Sequence, residues 1–216
     1  MLSKYGMADC KPISMPLDQN VKLRADEGQV LEDVTMYRQI EATLDVVRRT
    51  LRYVSATLDY ALFYEASIEL QLSGFTDADW AGSVCDRRST SGFMFSLGSA
   101  AITWSSKKQP TVALSSTEAE YRGAAVAACE VAWLELLLKD LGIQVQRPVV
   151  IHCDNLSSIQ LARNPVFHAR TKHIEVHYHF IRERVLDGSI DLTFVRTDEQ
   201  VADIFTKALG AEKLRR

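Results

Sequence analysis

The order of apolar patterns along the chain predicts an α/β protein with a mixed five-stranded sheet and helices on both faces. The first observation is the stretch 68–77, where apolar and polar residues alternate as in a strand. The second is a pair of short apolar runs, 93–97 and 101–105, whose tight Gly-Ser connection predicts an antiparallel hairpin. The third is a long helical pattern followed by the apolar run 149–154, which predicts a parallel strand reached through a crossover helix.

Length and composition are those of an ordinary globular protein. The 216 residues are 47% hydrophobic and 25% charged, and the net charge of −3 excludes an overall polycation, so any contact with nucleic acid must come from local patches. The four cysteines include no Cys-x-x-Cys pair, which is typical of free thiols in a reducing compartment. No apolar run is long enough for a membrane span and no leader pattern opens the chain, so we expect an intracellular protein, cytoplasmic or nuclear, that is neither secreted nor bound to a membrane.

The first part of the chain differs from the rest. Residues 1–43 lack sustained periodicity, which predicts a segment that is mostly extended or poorly ordered. An amphipathic helical pattern begins at Leu44, and a short strand is predicted over 59–64. We therefore divide the chain into an N-terminal segment, a connector, a main domain and a C-terminal tail, with the bounds 1–43, 44–67, 68–209 and 210–216.

The main domain continues beyond the hairpin with alternating helices and strands. Lys107-Lys-Gln-Pro110 is expected to end the sheet, and Gly142 ends the long helix that starts near Ser116. Its small apolar residues would let this helix lie close to the sheet. The later elements are predicted as helices over 156–163, 172–186 and 199–209 and a last strand over 190–195.

Four acidic residues stand at the ends of these elements. Asp77 ends a strand, Glu120 lies in the first turn of the long helix, Asp154 ends the parallel strand and Asp203 lies early in the final helix. Strand ends and helix starts can converge at one edge of such a sheet. Carboxylates gathered there are suited to bind divalent metal ions.

Each acid also has a structural interpretation. Thr117-Glu-Ala-Glu120 matches a capping box, Asp154 could cap the following helix, and Asp203 could simply favour the positive end of its helix. Taken one at a time, the acids do not decide between the two interpretations.

Longer sequence motifs carry a resemblance to a known family. They are Phe75-Thr-Asp-Ala-Asp-Trp-Ala-Gly82, Leu114-Ser-Ser-Thr-Glu-Ala-Glu-Tyr121, Ile151-His-Cys-Asp-Asn155, Thr171-Lys-His-Ile-Glu-Val-His-Tyr-His-Phe-Ile181 and Val195-Arg-Thr-Asp-Glu-Gln-Val-Ala-Asp-Ile-Phe-Thr-Lys207. In this order they resemble the ribonuclease H domain of copia-type LTR retrotransposon Pol polyproteins, especially those of plants. The resemblance implies a ribonuclease H-like fold and an enzyme that cuts the RNA strand of RNA–DNA hybrids. It also implies that Asp77, Glu120, Asp154 and Asp203 are the catalytic quartet and hold two Mg²⁺ ions, with Mn²⁺ as a possible substitute.

The N-terminal segment resembles the region beyond the polymerase palm of the same polyproteins, up to about Ile40. Relatives then continue with a longer polymerase-derived segment, which this chain lacks, and the polymerase motif Tyr-x-Asp-Asp is absent. The resemblance therefore implies a ribonuclease H whose partner is a reverse transcriptase domain in the parent polyprotein. The alternative is a weak or inactive retrotransposon remnant that acts, if at all, as a nucleic-acid-binding or interaction module. The sequence does not indicate an oligomeric state.

The residues expected to contact a nucleic acid lie at a helix start and beside two acids. Hydroxyl groups and positive charge near backbone N–H groups suit phosphate or 2′-hydroxyl contacts. The candidates are Ser115, Ser116, Thr117, Lys107, Lys108 and Asn155. For the two lysines a solvated turn is an equally good interpretation.

Two features stay open at the sequence level. Asp79 lies two residues after Asp77 on the same predicted face, and only the family pattern favours Asp77 as the ligand. A helix with His173, His177 and His179 allows a zinc site, but the spacing supplies only part of a ligand set. A structural or substrate-facing role of these histidines is the alternative.

Overall fold

The described residues of the computed structural model are 2–17, 44–65, 69–164 and 175–215. They belong to two units. One comprises Met1–Leu62, Ser83–Arg87 and Lys207–Arg216, and the other comprises Phe63–Gly82 and Arg88–Thr206. Within the described residues, none of the helices has the length and apolar content required to cross a membrane.

The first unit contains the helix α1, Leu44–Ser55. Val47 and Leu51, one turn apart, are its buried positions. The N-terminal residues are tied to this helix, because the Arg52 side chain donates to the carbonyl of Lys11 at 2.7 Å and Ile13 N donates to the carbonyl of Arg52. Short 3₁₀ helices lie at Leu2–Tyr5 and Lys213–Arg215.

The second unit is built on a five-stranded mixed sheet. Its strands are β1 Leu72–Ala78, β2 Thr90–Leu97, β3 Ala100–Lys108, β4 Val149–Cys153 and β5 Ile190–Phe194. The strand order is β3-β2-β1-β4-β5, with antiparallel pairing among the first three strands and parallel pairing from β1 to β4 and from β4 to β5. The predicted α/β class and five-stranded mixed sheet are confirmed.

Three α-helices accompany this sheet: α2 Ser116–Asp140, α3 Leu156–Arg163 and α4 Glu175–Leu186. The apolar core lies between them and one face of the sheet. Small residues bring α2 close, since Ala124, Ala125, Ala127 and Ala128 are almost completely buried. At Gly123 an added Cβ would lie 3.5 Å from Ala78 Cβ, so α2 lies against the face to which Ala78 points.

The opposite face carries a shorter helix, the 3₁₀ helix Val201–Phe205. Gly92 pairs with Asp77, and residues opposite each other on antiparallel strands point to the same face. A Cβ at Gly92 would lie 2.6 Å from Phe205 Cβ, so the 3₁₀ helix packs on the face of Asp77 and Gly92. The prediction of helices on both faces is therefore confirmed.

Several predicted bounds are wrong. No strand forms over 59–64, because these residues pair with no neighbouring strand and Leu62, Phe63 and Tyr64 are exposed. The sheet does not end at Lys107, because Lys107 and Lys108 still pair with the start of β2, which begins at Thr90 rather than Phe93. The final helix predicted over 199–209 is only the 3₁₀ helix, whose C-cap Thr206 bonds its N–H to the carbonyl of Asp203.

The close packing at Gly74 predicts a large effect of one methyl group. In Gly74→Ala the new Cβ would contact the Phe95 ring and lie 2.9 Å from the Met94 carbonyl oxygen, and Phe95 is completely buried. Overpacking of this kind costs about 1–3 kcal/mol, so we expect the free energy of unfolding in urea to fall by that amount.

Gly123→Ala is the matched control. Its Cβ would meet only ordinary contacts at 3.4 Å or more, and alanine favours a helix by about 0.5–1 kcal/mol over glycine. Equal unfolding free energies for the two variants would contradict the packing described at Gly74.

Candidate metal centre

Three of the four predicted acids meet at one edge of the sheet. Asp77 is near the end of β1, and Asp154 directly follows β4. Because β1 and β4 are adjacent and parallel, their C-terminal ends lie together, and the 3₁₀ helix adds Asp203. Carboxylate oxygens of Asp77, Asp154 and Asp203 lie within 4.8 Å of one another, and Asp77 and Asp203 are each only 1% exposed.

The fourth acid reaches the same place from the other side of the sheet. Glu120 lies in the second turn of α2, not in the first turn as predicted. It forms a second group with Cys153 and Asp154, again with donor atoms within 4.8 Å. Asp154 is common to both groups. It can meet side chains from both faces because it stands just beyond the last residue of β4.

The electrostatics of the centre favour a cation. Two unit charges of the same sign 4 Å apart repel by about 4 kcal/mol at an effective dielectric constant of 20. Hydroxyl groups stabilise part of this charge: Thr206 Oγ1 donates to Asp77 Oδ2, and Thr197 Oγ1 donates to Asp154 Oδ2 at 3.0 Å. The carboxylate oxygens form a donor set that fits a hard divalent cation such as Mg²⁺ or Mn²⁺.

Cys153 is a neighbour of the acids that the sequence did not single out. Its side chain is completely buried, and this burial, together with the nearby carboxylate of Glu120, raises the pKa of the thiol to about 12. The thiol is therefore protonated at neutral pH, and Asn155 N donates a hydrogen bond to its sulfur at 3.4 Å. The sequence signal that could have identified Cys153 as a neighbour of the acids is its position one residue before Asp154.

The capping roles considered for two of the acids belong to other residues. Ser115 is the N-cap of α2, where its Oγ accepts from Glu118 N, and Glu118 Oε2 accepts from Leu114 N at 3.0 Å. Asn155 is the N-cap of α3, with its Oδ1 accepting from Ser158 N. The capping interpretation is therefore wrong for Glu120 and for Asp154.

Polar contacts fix the start of α2, and with it Glu120, against the sheet. Arg122 forms a buried ion pair with Glu118 at 2.6 Å and also bonds the side chain of Thr111. The buried side-chain amide of Gln109 donates to Ser91 Oγ at 2.8 Å and to the carbonyl of Ala119 at 2.9 Å. The loop between β3 and α2 is thus linked both to β2 and to the residue before Glu120.

Asp79, the ambiguous acid, has a structural role. Its Oδ1 accepts from Thr90 N at 2.6 Å, and its own N–H donates to the Thr90 carbonyl. Its carboxylate also lies against Gly82, where a Cβ would collide with it. Within the described part of the chain, neither group of candidate metal ligands includes Asp79.

The residues expected to contact a nucleic acid are distributed around this edge. Ser115 and Ser116 are exposed at the start of α2, whereas Thr117 and Asn155 are half-buried. Lys107 and Lys108 are exposed at the end of the edge strand β3. Their contact with a nucleic acid stays a prediction.

The histidine helix is only partly described. His173 lies outside the described residues, as does the side chain of His177, and His179 is exposed on α4. The zinc alternative therefore falls outside the described part of the chain.

Comparisons with known proteins find close relatives among transposon polyproteins. The chain is 39% identical to the retrovirus-related Pol polyprotein from transposon RE2 of Arabidopsis thaliana, over 97% of this chain and 16% of the relative. It is 43% identical to the corresponding polyprotein from transposon TNT 1-94 of Nicotiana tabacum, over 99% of this chain and 19% of the relative. The chain thus spans less than a fifth of the length of either relative. The alignment with the first covers 239 positions, more than the chain's 216 residues, so that relative has additional residues within the matched region.

A solved structure is also similar. LC11-RNase H1, isolated from compost, matches with a TM-score of 0.47 and 14% sequence identity, over 68% of this chain and 96% of that one. No protein-family model matches the chain.

Because the carboxylates repel one another, we expect that one of them can be neutralised without loss of the fold. In Asp154→Asn, measured in EDTA, we expect a melting temperature equal to or above that of the parent, because a repulsive charge is removed. Adding Mn²⁺ should raise the melting temperature of the variant less than that of the parent, since at a given concentration a ligand that binds only the folded state stabilises it more when it binds more tightly.

Glu183→Gln, on the exposed side of α4, serves as the control for loss of a charge far from the centre. An equal response of Asp154→Asn and the parent to Mn²⁺ would mean that Asp154 is not a ligand.

Proposed function

The chain belongs to the family of retrovirus-related Pol polyproteins of plant transposons, and from this premise we propose that it is a divalent-metal-dependent ribonuclease H that hydrolyses the RNA strand of RNA–DNA hybrids. The segment 68–209 would carry the activity, and the N-terminal residues would be a remnant of a reverse transcriptase. The observation that carries the proposal is that Asp77, Glu120, Asp154 and Asp203, which come from β1, α2, the residue after β4 and the 3₁₀ helix, form two overlapping groups at one edge of the sheet.

In this proposal the four acids would hold two divalent cations. Asp77, Asp154 and Asp203 would hold one ion, and Asp154 together with Glu120 would contribute to the second. When bound, Mg²⁺ ions supply activation of water and stabilisation of the leaving oxygen in phosphodiester hydrolysis. The protein residues fix the carboxylates in place, since Thr206 orients Asp77 and Thr197 orients Asp154 through their hydroxyl groups.

The substrate would be recognised by its shape, its phosphates and its 2′-hydroxyl groups rather than by its base sequence. The exposed Ser115 and Ser116 stand at the N-terminus of the same helix that carries Glu120, so a nucleic acid bound there would lie near the metal centre. Thr117, Asn155, Lys107 and Lys108 would add contacts to the backbone. The positive charge of the two lysines makes binding dependent on salt.

The parent polyprotein would supply a further partner, a reverse transcriptase domain that grips the same hybrid. A module separated from such a partner loses the gain in affinity that comes from binding at two linked sites. We therefore expect weak hybrid binding and low activity from this chain alone. The alternative, an inactive remnant that only binds nucleic acid, shares the fold and differs in the cleavage step.

Cleavage of labelled substrates tests the proposal. With Mg²⁺ or Mn²⁺ at millimolar concentration, we expect the RNA strand of a hybrid to be cut, and single-stranded RNA and double-stranded DNA to remain intact. Asp77→Asn should lower the rate by at least about 100-fold, because loss of residues that merely orient metal ligands already costs about 10–100-fold.

Asp79→Asn is the matched control, because it removes the same charge two residues away. Asparagine keeps an oxygen that can accept from Thr90 N, so this variant should retain the parent rate within about 3-fold. Absence of metal-dependent cleavage at high protein concentration would favour the inactive remnant, and equal cleavage of DNA would exclude a ribonuclease H.

A further inference from the structure

Gln200 makes two buried hydrogen bonds next to the candidate metal centre. The residue is 2% exposed and is the N-cap of the 3₁₀ helix. Its Nε2 donates to the carbonyl of Thr76 at 3.0 Å, and its Oε1 accepts from Ala202 N at 3.1 Å. One side-chain amide thus joins the backbone of β1 to the backbone of the 3₁₀ helix.

The two backbone groups that it joins belong to the residues directly before two of the acids. Thr76 precedes Asp77, and Ala202 precedes Asp203. The distance between these backbone groups therefore constrains the separation of the two carboxylates. The bond from Thr206 to the Asp77 carboxylate is a second link between the same elements, at the other end of the 3₁₀ helix.

The 3₁₀ helix depends on such links because it has little rigidity of its own. It has five residues, and short 3₁₀ helices have poorer hydrogen-bond geometry than α-helices. By contrast, Asp77 lies on a strand that pairs with β2 at Asp77 itself and with β4 over residues 73–75. Of the two acids, Asp203 is therefore the one whose position has to be set by tertiary contacts.

We propose that Gln200 is a positioning residue that sets the separation of Asp77 and Asp203 and thereby the metal affinity of the centre. The inference rests on the proposed function, because it takes these two acids as ligands of one cation. A residue that only filled space here would need no polar atoms, whereas both polar ends of this amide are bonded. The effect of its loss should therefore appear in metal binding more than in folding.

Two substitutions at this position test the inference. Gln200→Met keeps the length of the side chain and removes both hydrogen bonds. Gln200→Asn keeps an amide that can cap the helix but is one methylene too short to bridge to Thr76, so it preserves the helix start if the first variant folds poorly. The readouts are two Mn²⁺ concentrations: the dissociation constant fitted to the dependence of the melting temperature on Mn²⁺, and the concentration that gives half-maximal cleavage of a labelled hybrid.

We expect both Mn²⁺ concentrations to increase by about 10-fold in both variants, the lower end of the range found when residues that orient metal ligands are removed. Cleavage at saturating Mn²⁺ should stay within about 3-fold of the parent, because the ligands themselves are retained. A residue with a merely structural role would not raise the Mn²⁺ requirement while leaving the maximal rate unchanged.

Two controls separate positioning from stability and from side-chain chemistry. Gln160→Met makes the same substitution at an exposed position of α3 and should leave both readouts unchanged. Ile190→Val removes one buried methyl group at the start of β5, the end of the sheet away from the acids, and lowers stability without touching them.

The outcomes distinguish the two proposals. The positioning role is overturned if the Mn²⁺ concentrations measured for Gln200→Asn lie within 2-fold of those of the parent. It is also overturned if Ile190→Val, at a similar loss of melting temperature, loses as much Mn²⁺ affinity as the Gln200 variants. A parent chain that responds to Mn²⁺ in melting but does not cleave hybrid overturns the proposed function, and the positioning role is then decided by the melting readout. A parent chain with no response to Mn²⁺ overturns both.

Discussion

The mutual repulsion of buried carboxylates is the constraint on which the arrangement of this protein depends. Asp77, Asp154 and Asp203 hold their oxygens within 4.8 Å, and two of them are almost completely removed from water. Such a group destabilises the folded chain unless other contacts or a bound cation offset the repulsion. The surrounding elements have to be rigid enough to prevent the acids from moving apart, and this requirement explains the density of polar links around them.

The sheet provides the first part of that rigidity. β1 is the central strand: Asp77 pairs with Gly92 of β2, and residues 73–75 of the same strand pair with β4, so the strand that carries Asp77 is held on both sides. On the face of the sheet that α2 covers, the position of Glu120 depends on close packing, because α2 can bring Glu120 to the edge only if its small residues let it approach β1. Gly123, beside Thr76 and Ala78, marks that approach. The same packing that forms the core therefore sets the position of one member of the acidic group.

The sequence was sufficient for those parts of the fold that follow from local pattern. The sheet strands, α2 and α3 were predicted from apolar periodicity and caps. The ends of these elements allowed the four acids to converge, but only the resemblance to a known family selected them as a set. What failed depends on distant residues. The pattern at 59–64 has the composition of a strand but finds no partner strand among the described residues. The pattern over 199–209 yields only a five-residue 3₁₀ helix, which is bonded to β1 through Gln200 and Thr206 at its two ends. The structural role of Asp79 depends on Thr90, which periodicity around Asp79 does not reveal.

The polar residues that hold this centre together include two buried glutamines, and their chemistry suits the task. Gln109 bonds to the carbonyl of Ala119, next to Glu120, and to Ser91, which pairs with Ala78, next to Asp77. Gln200 makes the equivalent link on the other face, between the neighbours of Asp77 and Asp203. A lysine or arginine in either place would also anchor a carbonyl, but its charge would compete with a metal ion for the carboxylates. A neutral amide fixes the backbone on both sides of the acids and leaves their negative charge available to a cation.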